Sequence, residues 1–249
     1  MKGVAISFRE VVKSFDEKLV LDRVSLDVSP GEVLVLLGRS GCGKTTLLRL
    51  VNRLVDADAG EVCVGGRPVT DWDPVELRRG IGYAIQGVGL LPHLSVGENV
   101  SLVPRLLGWD PERRRERAGE MLRLVGLDPR EHGGRRPDQL SGGQRQRVGV
   151  ARALAADPQA LLMDEPFGAV DPIGRRSLQE EFRSLSRELG KTVLFVTHDV
   201  TEAFRLADRI AVVADGGIRQ VGTPADIRRA PADDLVRSFI EGAALGNGG

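Results

Sequence analysis

The sequence contains few cysteine, aromatic and lysine residues, and the shortage of cysteine excludes a disulfide-stabilised fold. Two cysteines, Cys42 and Cys63, among 249 residues are too few for a disulfide framework and fit a reducing compartment. Aromatic residues make up 4% of the chain. Because arginine carries nearly all of the positive charge, Lys44 is a rare choice in this chain.

Net charge and long apolar runs are also missing. Lys and Arg total 35 and Asp and Glu total 35, so no broad surface for nucleic acid or anionic lipid is expected. The dense apolar run "VLVLL" at 33–37 is far shorter than the ~20 residues that span a bilayer. The first ten residues lack the apolar core of a signal peptide. Any association with a membrane is therefore expected to go through a partner protein.

What is present is an alternation of apolar strands and helical segments. Residues 4–37 contain three β-type segments, and the last, uniformly apolar, is typical of a strand buried on both faces. The helical spacing that follows continues to Leu54. Residues 87–155 are mainly helical, and strands and helices alternate after them. This pattern predicts an α/β fold with a mainly parallel core sheet and an inserted helical subdomain.

A phosphate-binding loop stands between the apolar strand and its helix. "GRSGCGKT" at 38–45 fits G-x-x-x-x-G-K-[ST], in which backbone N–H groups cradle phosphates, the lysine neutralises them and the final hydroxyl ligates Mg²⁺. A glycine-rich turn that merely ends a strand is the alternative. The predicted nucleotide-binding residues are Gly38, Arg39, Ser40, Gly41, Cys42, Gly43, Lys44, Thr45 and Thr46.

Two later strands end in polar residues suited to phosphate chemistry. "LLMDEP" places Asp164 where it can hold Mg²⁺ and Glu165 where it can act as a general base. "VLFVTH" ends in His198, which can hydrogen-bond a γ-phosphate. A solvated strand end and a structural histidine are the alternatives. Because these strands share one sheet edge with the loop, a common site is expected.

The stretch "LSGGQRQRV" at 140–148 predicts a second anion cradle. Ser141, Gly142 and Gly143 precede or open a helix, so backbone N–H groups are exposed at its N-terminus. One chain would then carry two cradles for phosphate.

The combination of these motifs, in this order, resembles the ATP-binding cassette of ABC transporters over residues 4–240. The resemblance implies a P-loop NTPase with an N-terminal antiparallel β subdomain, one ABC domain over 1–249, and ATP and Mg²⁺ as cofactors. It also implies a D-loop at 168–171 and an adenine-stacking aromatic at Phe15, for which a core phenylalanine is the alternative. The implied roles are catalysis by Glu165, His198 and Gln86, metal binding by Thr45, Gln86 and Asp164, and nucleotide binding by Phe15, Ser141, Gly142, Gly143 and Gln144.

The family resemblance also implies partners and a location. Two copies pair head to tail, so that the signature of one faces the phosphate loop of the other. Transmembrane permease subunits bind the cassette at the cytoplasmic face of the inner membrane, where it is peripheral, and an extracytoplasmic solute-binding protein delivers the solute. No nucleic-acid partner is expected.

A closer similarity is to the cassettes of osmoprotectant importers, which serve glycine betaine, choline and carnitine. It rests on "LLRLVNRLVDADAGEV", "GYAIQGVGLLPH" and "DEPFGAVDPIGR". The departures are Gly87 after Gln86, Val170 in the D-loop, and an end at residue 249 that leaves no room for C-terminal CBS modules. An ABC ATPase for another solute, one without a transporter, and a P-loop kinase are the alternatives.

Overall fold

The computed structural model describes residues 3–168 and 170–245, and over these the chain forms ten strands and eleven α-helices. The strands are Ile6–Phe15 (β1), Lys18–Val28 (β2), Val33–Leu37 (β3), Ala59–Val64 (β4), Arg67–Pro68 (β5), Ile81–Ala84 (β6), Ala160–Asp164 (β7), Thr192–Thr197 (β8), Arg209–Ala214 (β9) and Gly217–Gly222 (β10).

The helices alternate with the strands in the second half of the chain and cluster in its middle. They are Lys44–Val51 (α1), Pro74–Gly80 (α2), Val96–Val100 (α3), Leu102–Leu106 (α4), Pro111–Leu124 (α5), Pro129–His132 (α6), Gly142–Leu154 (α7), Pro172–Glu188 (α8), Val200–Leu206 (α9), Pro224–Arg229 (α10) and Asp234–Leu245 (α11). None of the described helices is both long enough and apolar enough to cross a membrane.

The larger sheet has the strand order β10-β9-β3-β8-β7-β6 over the described residues. Strands β9, β3, β8, β7 and β6 run parallel, and β10 returns antiparallel on β9 as the closing hairpin. The carboxyl ends of β3, β7 and β8 therefore lie side by side. This is the edge at which parallel α/β sheets bind ligands.

The smaller sheet is antiparallel, with the order β2-β1-β4-β5 in the part of the chain that the structure describes. Its apolar residues, such as Phe8 and Val24, are buried, while their neighbours face outward. This period of two is what a sheet with one wet face requires.

Strand β3 divides the hydrophobic core in two. Leu34 and Leu36 pack with the small sheet and helix α1 in one cluster. Val33, Val35 and Leu37 belong to a second cluster, shared with the middle helices. Because successive side chains of a strand point to opposite faces, a strand buried on both sides must be apolar throughout. That is why "VLVLL" contains no polar position.

Helices α3–α7 lie between β6 and β7 in the chain and form a separate helical layer. The apolar stripe of α5 is buried against this layer through Ala118, Met121 and Leu122. Asp110 accepts hydrogen bonds from the first backbone N–H groups of α5, and Ser95 and Glu98 form a capping box at α3.

The predicted extent of α1 is wrong at its C-terminal end. The helix ends at Val51, Asn52 caps it, and Arg53 adopts a left-handed φ of 54°. Leu54, expected on the buried face, is 49% exposed. A residue with positive φ cannot continue a right-handed helix, so the spacing at Leu54 is coincidental.

Candidate nucleotide-binding site

The loop 38–45 is closed around its own lysine. Lys44 is 4% exposed, and its ammonium donates to the carbonyl oxygens of Gly38 at 2.8 Å and Arg39 at 2.7 Å. Gly43 has a φ of 105°, and a Cβ there would lie 2.7 Å from Leu21 Cδ2. Only glycine fits this position, because both the backbone angle and the space exclude a side chain. The lysine charge is thus held at the start of α1.

The hydroxyl that ends this loop meets the acid at the end of β7. Thr45 Oγ1 donates to Asp164 Oδ1 at 3.1 Å. Asp164 is 2% exposed, and burial raises the pKa of its carboxyl group, to which the nearby Glu165 charge adds. A bound cation would favour the ionised carboxylate again. Two hard oxygen donors close together fit the partial coordination shell that Mg²⁺ takes from a protein that binds nucleotide phosphates.

The described residues contain no group of three or more His, Cys, Asp or Glu side chains that could hold a metal by themselves. A magnesium ion at Thr45 and Asp164 would therefore need phosphate and water oxygens to complete its shell.

Glu165 lies at the centre of a hydrogen-bonded cluster. Its Oε1 lies 2.9 Å from His198 Nδ1, and its Oε2 accepts from Gln86 Nε2 at 3.3 Å. The backbone of Glu165 is left-handed, with a φ of 47°, and its N–H donates to the carbonyl of Val196 on the next strand. A non-glycine residue in this conformation is strained, and such strain is found most often at functional sites.

The phosphate loop, Gln86 and Glu165 line one cavity of about 190 Å³. Its lining includes Gly41, Lys44, Thr45, Gln86 and Glu165, while Asp164 and His198 lie behind it, in contact with Thr45 and Glu165. The structure therefore brings the three sequence motifs, from three parts of the chain, to one opening at the sheet edge. The size is small, and the site is open to solvent beyond it. A larger cavity, of about 640 Å³, lies between α3 and α5 and contains none of the predicted site residues.

The second cradle is formed at the start of α7. Ser141 is the N-cap residue, and its hydroxyl accepts from Gln144 N at 3.2 Å. Gln144 completes the capping box through Ser141 N and also lies 3.3 Å from His132 Nε2. The N–H groups of Gly142 and Gly143 belong to the first helical turn, whose donors have no intrahelical acceptor. They are the donors available to an anion.

Phe15 ends β1 and is 42% exposed. The alternative of a core phenylalanine is therefore wrong. The ammonium of Lys13 lies 5.2 Å from the centre of its ring. An exposed ring beside a cation is a surface on which a flat, electron-rich base can stack.

The sequence did not predict the role of Arg175, which contacts the segments that follow Glu165 and His198 without entering the site itself. Arg175, on α8, donates to the carbonyls of Gly168 and Val170 in the D-loop and lies 4.0 Å from Asp199, the N-cap residue of α9. Ala169 of the D-loop lies outside the described residues. Asp199 follows His198 directly, so Arg175 links the loop after Glu165 to the histidine that contacts Glu165. No local pattern marks the contact of Arg175 with Asp199, because the two residues are 24 positions apart.

Fold and site together define a class. A parallel sheet whose strand β3 ends in a phosphate loop, with an acid pair on β7 and a helix-borne second cradle, is the ATP-binding cassette of the P-loop class.

Comparison with known proteins places the chain more narrowly. The profile of the family described as "ABC transporter" matches residues 21–168. The choline transport ATP-binding protein OpuBA of Bacillus subtilis is 54% identical over 223 residues, which cover 90% of this chain and 58% of OpuBA. The glycine betaine uptake system ATP-binding protein YehX of Escherichia coli is 47% identical over 243 residues, 97% of this chain and 78% of YehX. The chain belongs to the ABC transporter family, as an ABC ATPase domain.

A solved structure agrees with this assignment. The dimeric, post-hydrolysis structure of the cassette MJ0796, bound to ADP and Pi, superposes with a TM-score of 0.81 at 35% identity, covering 88% of this chain and 98% of that one. The predictions of the family and of the fold class, including the antiparallel N-terminal sheet, are confirmed. The division into a single domain with a helical part at 87–155 stays a prediction.

Proposed function

We propose that this chain is the subunit that hydrolyses ATP to power a membrane importer of osmoprotectant, quaternary amine solutes. The observation that supports hydrolysis is the contact of Glu165 with both His198 and Gln86 at the edge where Thr45 meets Asp164. The support for the solute is the similarity to OpuBA, named for choline, and to YehX, named for glycine betaine.

Glu165 acts as the general base in this proposal. Its ionised carboxylate can only accept hydrogen bonds, so in the short contact with His198 the imidazole donates from Nδ1. A hydrogen bond from Nε2 to a γ-phosphate oxygen would require a second proton on the ring, because both atoms are otherwise acceptors. Gln86 donates to the other carboxylate oxygen and can position a water molecule beside Glu165. His198 and Gln86 thus fix the orientation of the Glu165 carboxylate. A general base must be held in this way to abstract a proton from a positioned water.

The phosphate loop and the acid of β7 bind the rest of the nucleotide. Lys44 exchanges the carbonyls of Gly38 and Arg39 for phosphate oxygens, and the loop N–H groups donate to the same oxygens. Thr45 and Asp164 would hold Mg²⁺, which when bound neutralises charge on the phosphates. Phe15 stacks on the adenine. Arg39, Ser40, Gly41 and Cys42 within the loop, and Thr46 directly after it, contribute their backbone N–H groups.

The second cradle serves a second copy of the chain. The first turn of α7 has free N–H donors and a positive dipole end, yet it belongs to a different part of the chain from the phosphate loop. In a head-to-tail pair, Ser141, Gly142, Gly143 and Gln144 of one copy would face the γ-phosphate held by the other. The dimeric MJ0796 cassette supports such pairing.

Transport requires further partners. The relatives are named as transport ATP-binding proteins, and the described helices are not of the kind that crosses a membrane. We therefore propose that permease subunits recruit the chain to the cytoplasmic face of the membrane, with a solute-binding protein acting on the other side. An ABC ATPase that serves another solute, or no transporter, is the rival reading.

The test is solute uptake by vesicles in which the chain is reconstituted with the permease subunits of an osmoprotectant importer. Uptake of glycine betaine, choline and carnitine should depend on internal MgATP and should fall by about 10²–10⁴-fold in Glu165→Gln, which removes the base. Glu116→Gln, on the exposed face of α5, is the control and should transport normally. Preference for a sugar or a metal ion would contradict the assigned solute, and ATP hydrolysis without any permease association would favour the rival.

A further inference from the structure

Arg152 of helix α7 binds the backbone of the loop that follows Gln86. Its Nη1 donates to the carbonyl of Gly89 at 2.7 Å, and its Nη2 donates to the carbonyl of Val88 at 2.7 Å. The guanidinium fork thus spans two successive peptide groups. Burial alone lowers the pKa of Arg152, and among the described residues no carboxylate contributes to the shift or pairs with its guanidinium. A half-buried cation that lacks a carboxylate must recover its lost hydration from these two carbonyls.

The loop that Arg152 holds is strained. Val88 has a φ of 68°, in the left-handed region that is least favourable for a β-branched residue. The same loop lies close to α7 at Gly149, where a Cβ would lie 3.1 Å from Val88 Cγ1. The close approach at Gly149 and the hydrogen bonds from Arg152, one turn later, together hold the loop against α7. Without these contacts, Val88 should relax to an extended or right-handed conformation.

This loop sets the position of Gln86. Gln86 lies two residues before Val88, its side chain is exposed, and its hydrogen bond to Glu165 is long, at 3.3 Å. The position of Gln86 therefore depends on the backbone of this loop. At its other end, α7 begins at Ser141, the N-cap of the second cradle. One rigid helix of 13 residues therefore connects the cradle to the loop that carries Gln86.

We propose that Arg152 is a positioning residue for Gln86, which clamps the 87–89 turn to α7 so that Gln86 and the second cradle move as one body. The inference rests on the proposed role of Gln86 at Glu165. When α7 docks on a nucleotide held by a second copy, the clamp carries the same displacement to Gln86 in its own site. Hydrolysis at one site is thereby linked to occupancy of the other.

Arg152→Lys tests the clamp, because it keeps the charge and removes the fork. We expect kcat for ATP to fall about 10-fold while KM changes less than about two-fold, since the 38–45 loop and Lys44, which Arg152 does not contact, bind the phosphates in the proposed function. Hydrogen exchange of the amides in residues 85–91 should quicken at the same time. The matched control is Arg147→Lys on the same helix, whose Nη1 donates to the carbonyl of Val125 in the helical layer. It should leave the exchange of 85–91 unchanged.

A rescue variant separates positioning from folding. Asparagine adopts the left-handed backbone more readily than valine. Adding Val88→Asn to Arg152→Lys should therefore raise kcat at least about three-fold above that of Arg152→Lys alone. Equal melting temperatures of Arg152→Lys and Arg147→Lys are expected. Unchanged exchange at 85–91, or a loss of kcat that tracks a loss of melting temperature, would overturn the clamp. If the wild-type chain itself does not hydrolyse ATP, the proposed function fails, and the exchange measurement still decides on the clamp.

Discussion

Several residues in this chain have a backbone conformation or a side-chain pKa that is unusual for their residue type. Glu165 and Val88 have left-handed backbones, and Asp164 and Glu202 are carboxyls with raised pKa values, because burial removes the hydration of the charged form. Left-handed non-glycine residues also occur outside the site, for example Glu10 and Arg53. Glu165 and Asp164 differ from these because strain and burial there coincide with the contacts to His198, Gln86 and Thr45.

Glu202 should give the protein a pH-dependent stability. It is 6% exposed, accepts a hydrogen bond from Gln179 Nε2 at 2.8 Å, and has its pKa raised chiefly by burial. The folded state therefore keeps the proton to a higher pH than the unfolded chain does. As pH rises from the ordinary glutamate pKa through the raised one, the unfolded state binds fewer protons, and the free energy of unfolding falls.

Glu202→Gln cannot titrate and should flatten this fall. Urea unfolding at about pH 5 and at about pH 8 measures it, with the exposed Glu116→Gln as control. A wild-type slope retained in Glu202→Gln would show that other groups carry the dependence.

At the scale of elements, short helices are held by buried polar side chains as much as by apolar ones. Asn99 of α3 is fully buried, and its amide donates to the carbonyls of Leu91, Leu94 and Ser95 at 2.9–3.2 Å. Its Oδ1 accepts from Leu91 N at 2.8 Å. A five-residue helix cannot be stable by propensity alone, so this side chain fixes the start of the helical layer to the end of the loop that carries Gln86.

Asn99→Leu should therefore destabilise the fold by about 3 kcal/mol, because it removes the partner of the Leu91 N–H and of the Leu94 carbonyl. The control is Asn52→Leu, a buried asparagine whose Oδ1 accepts one hydrogen bond, from Leu54 N at 3.3 Å. Its cost should be nearer about 1 kcal/mol. Chemical denaturation measures both. Equal losses for the two variants would mean that Asn99 contributes only as a buried side chain.

At the scale of the whole molecule, the two cradles have separate supports. The phosphate loop rests on the parallel sheet, whereas Ser141 begins a helix of the helical layer. In the proposed head-to-tail pairing, two copies of the chain complete two sites. Occupancy by ATP would then control association, and hydrolysis would release it.

Ser141→Arg should abolish this pairing. A long charged side chain at the N-cap obstructs the close approach of backbone N–H groups to a second copy's phosphate and puts a positive charge at the positive end of a helix dipole. Each monomer should still bind ATP at its own phosphate loop, while ATP hydrolysis is lost. Ser238→Arg on α11, also exposed, is the control.

Light scattering with and without MgATP, in a Glu165→Gln background that slows hydrolysis, reads the mass directly. Full ATPase activity in Ser141→Arg would contradict the arrangement in which each site borrows the other chain's cradle.

The sequence by itself determined the fold class and the phosphate-binding chemistry. The uniformly apolar β3 leads directly into the loop that Lys44 closes, and Asp164 and His198 each end or follow an apolar strand. Both signals are local, because a phosphate loop is built by consecutive backbone groups and a buried strand is recognised from its own side chains. The end of α1 was misjudged, since nothing in the helical spacing reveals the left-handed Arg53 that stops it.

Only the tertiary structure decided which side chains orient the site. The sequence predicted Gln86 and His198 as site residues, and the structure shows that both contact the carboxylate of Glu165. Arg175 of α8 contacts Asp199 at the start of α9, and Arg152 of α7 donates to the carbonyl of Val88. An arginine that binds main-chain carbonyls far along the chain has the same local pattern as any solvated arginine on a helix. The contact exists because the parallel sheet brings the ends of distant strands to one edge and lays α7 beside them, and that closeness is a property of the packed chain.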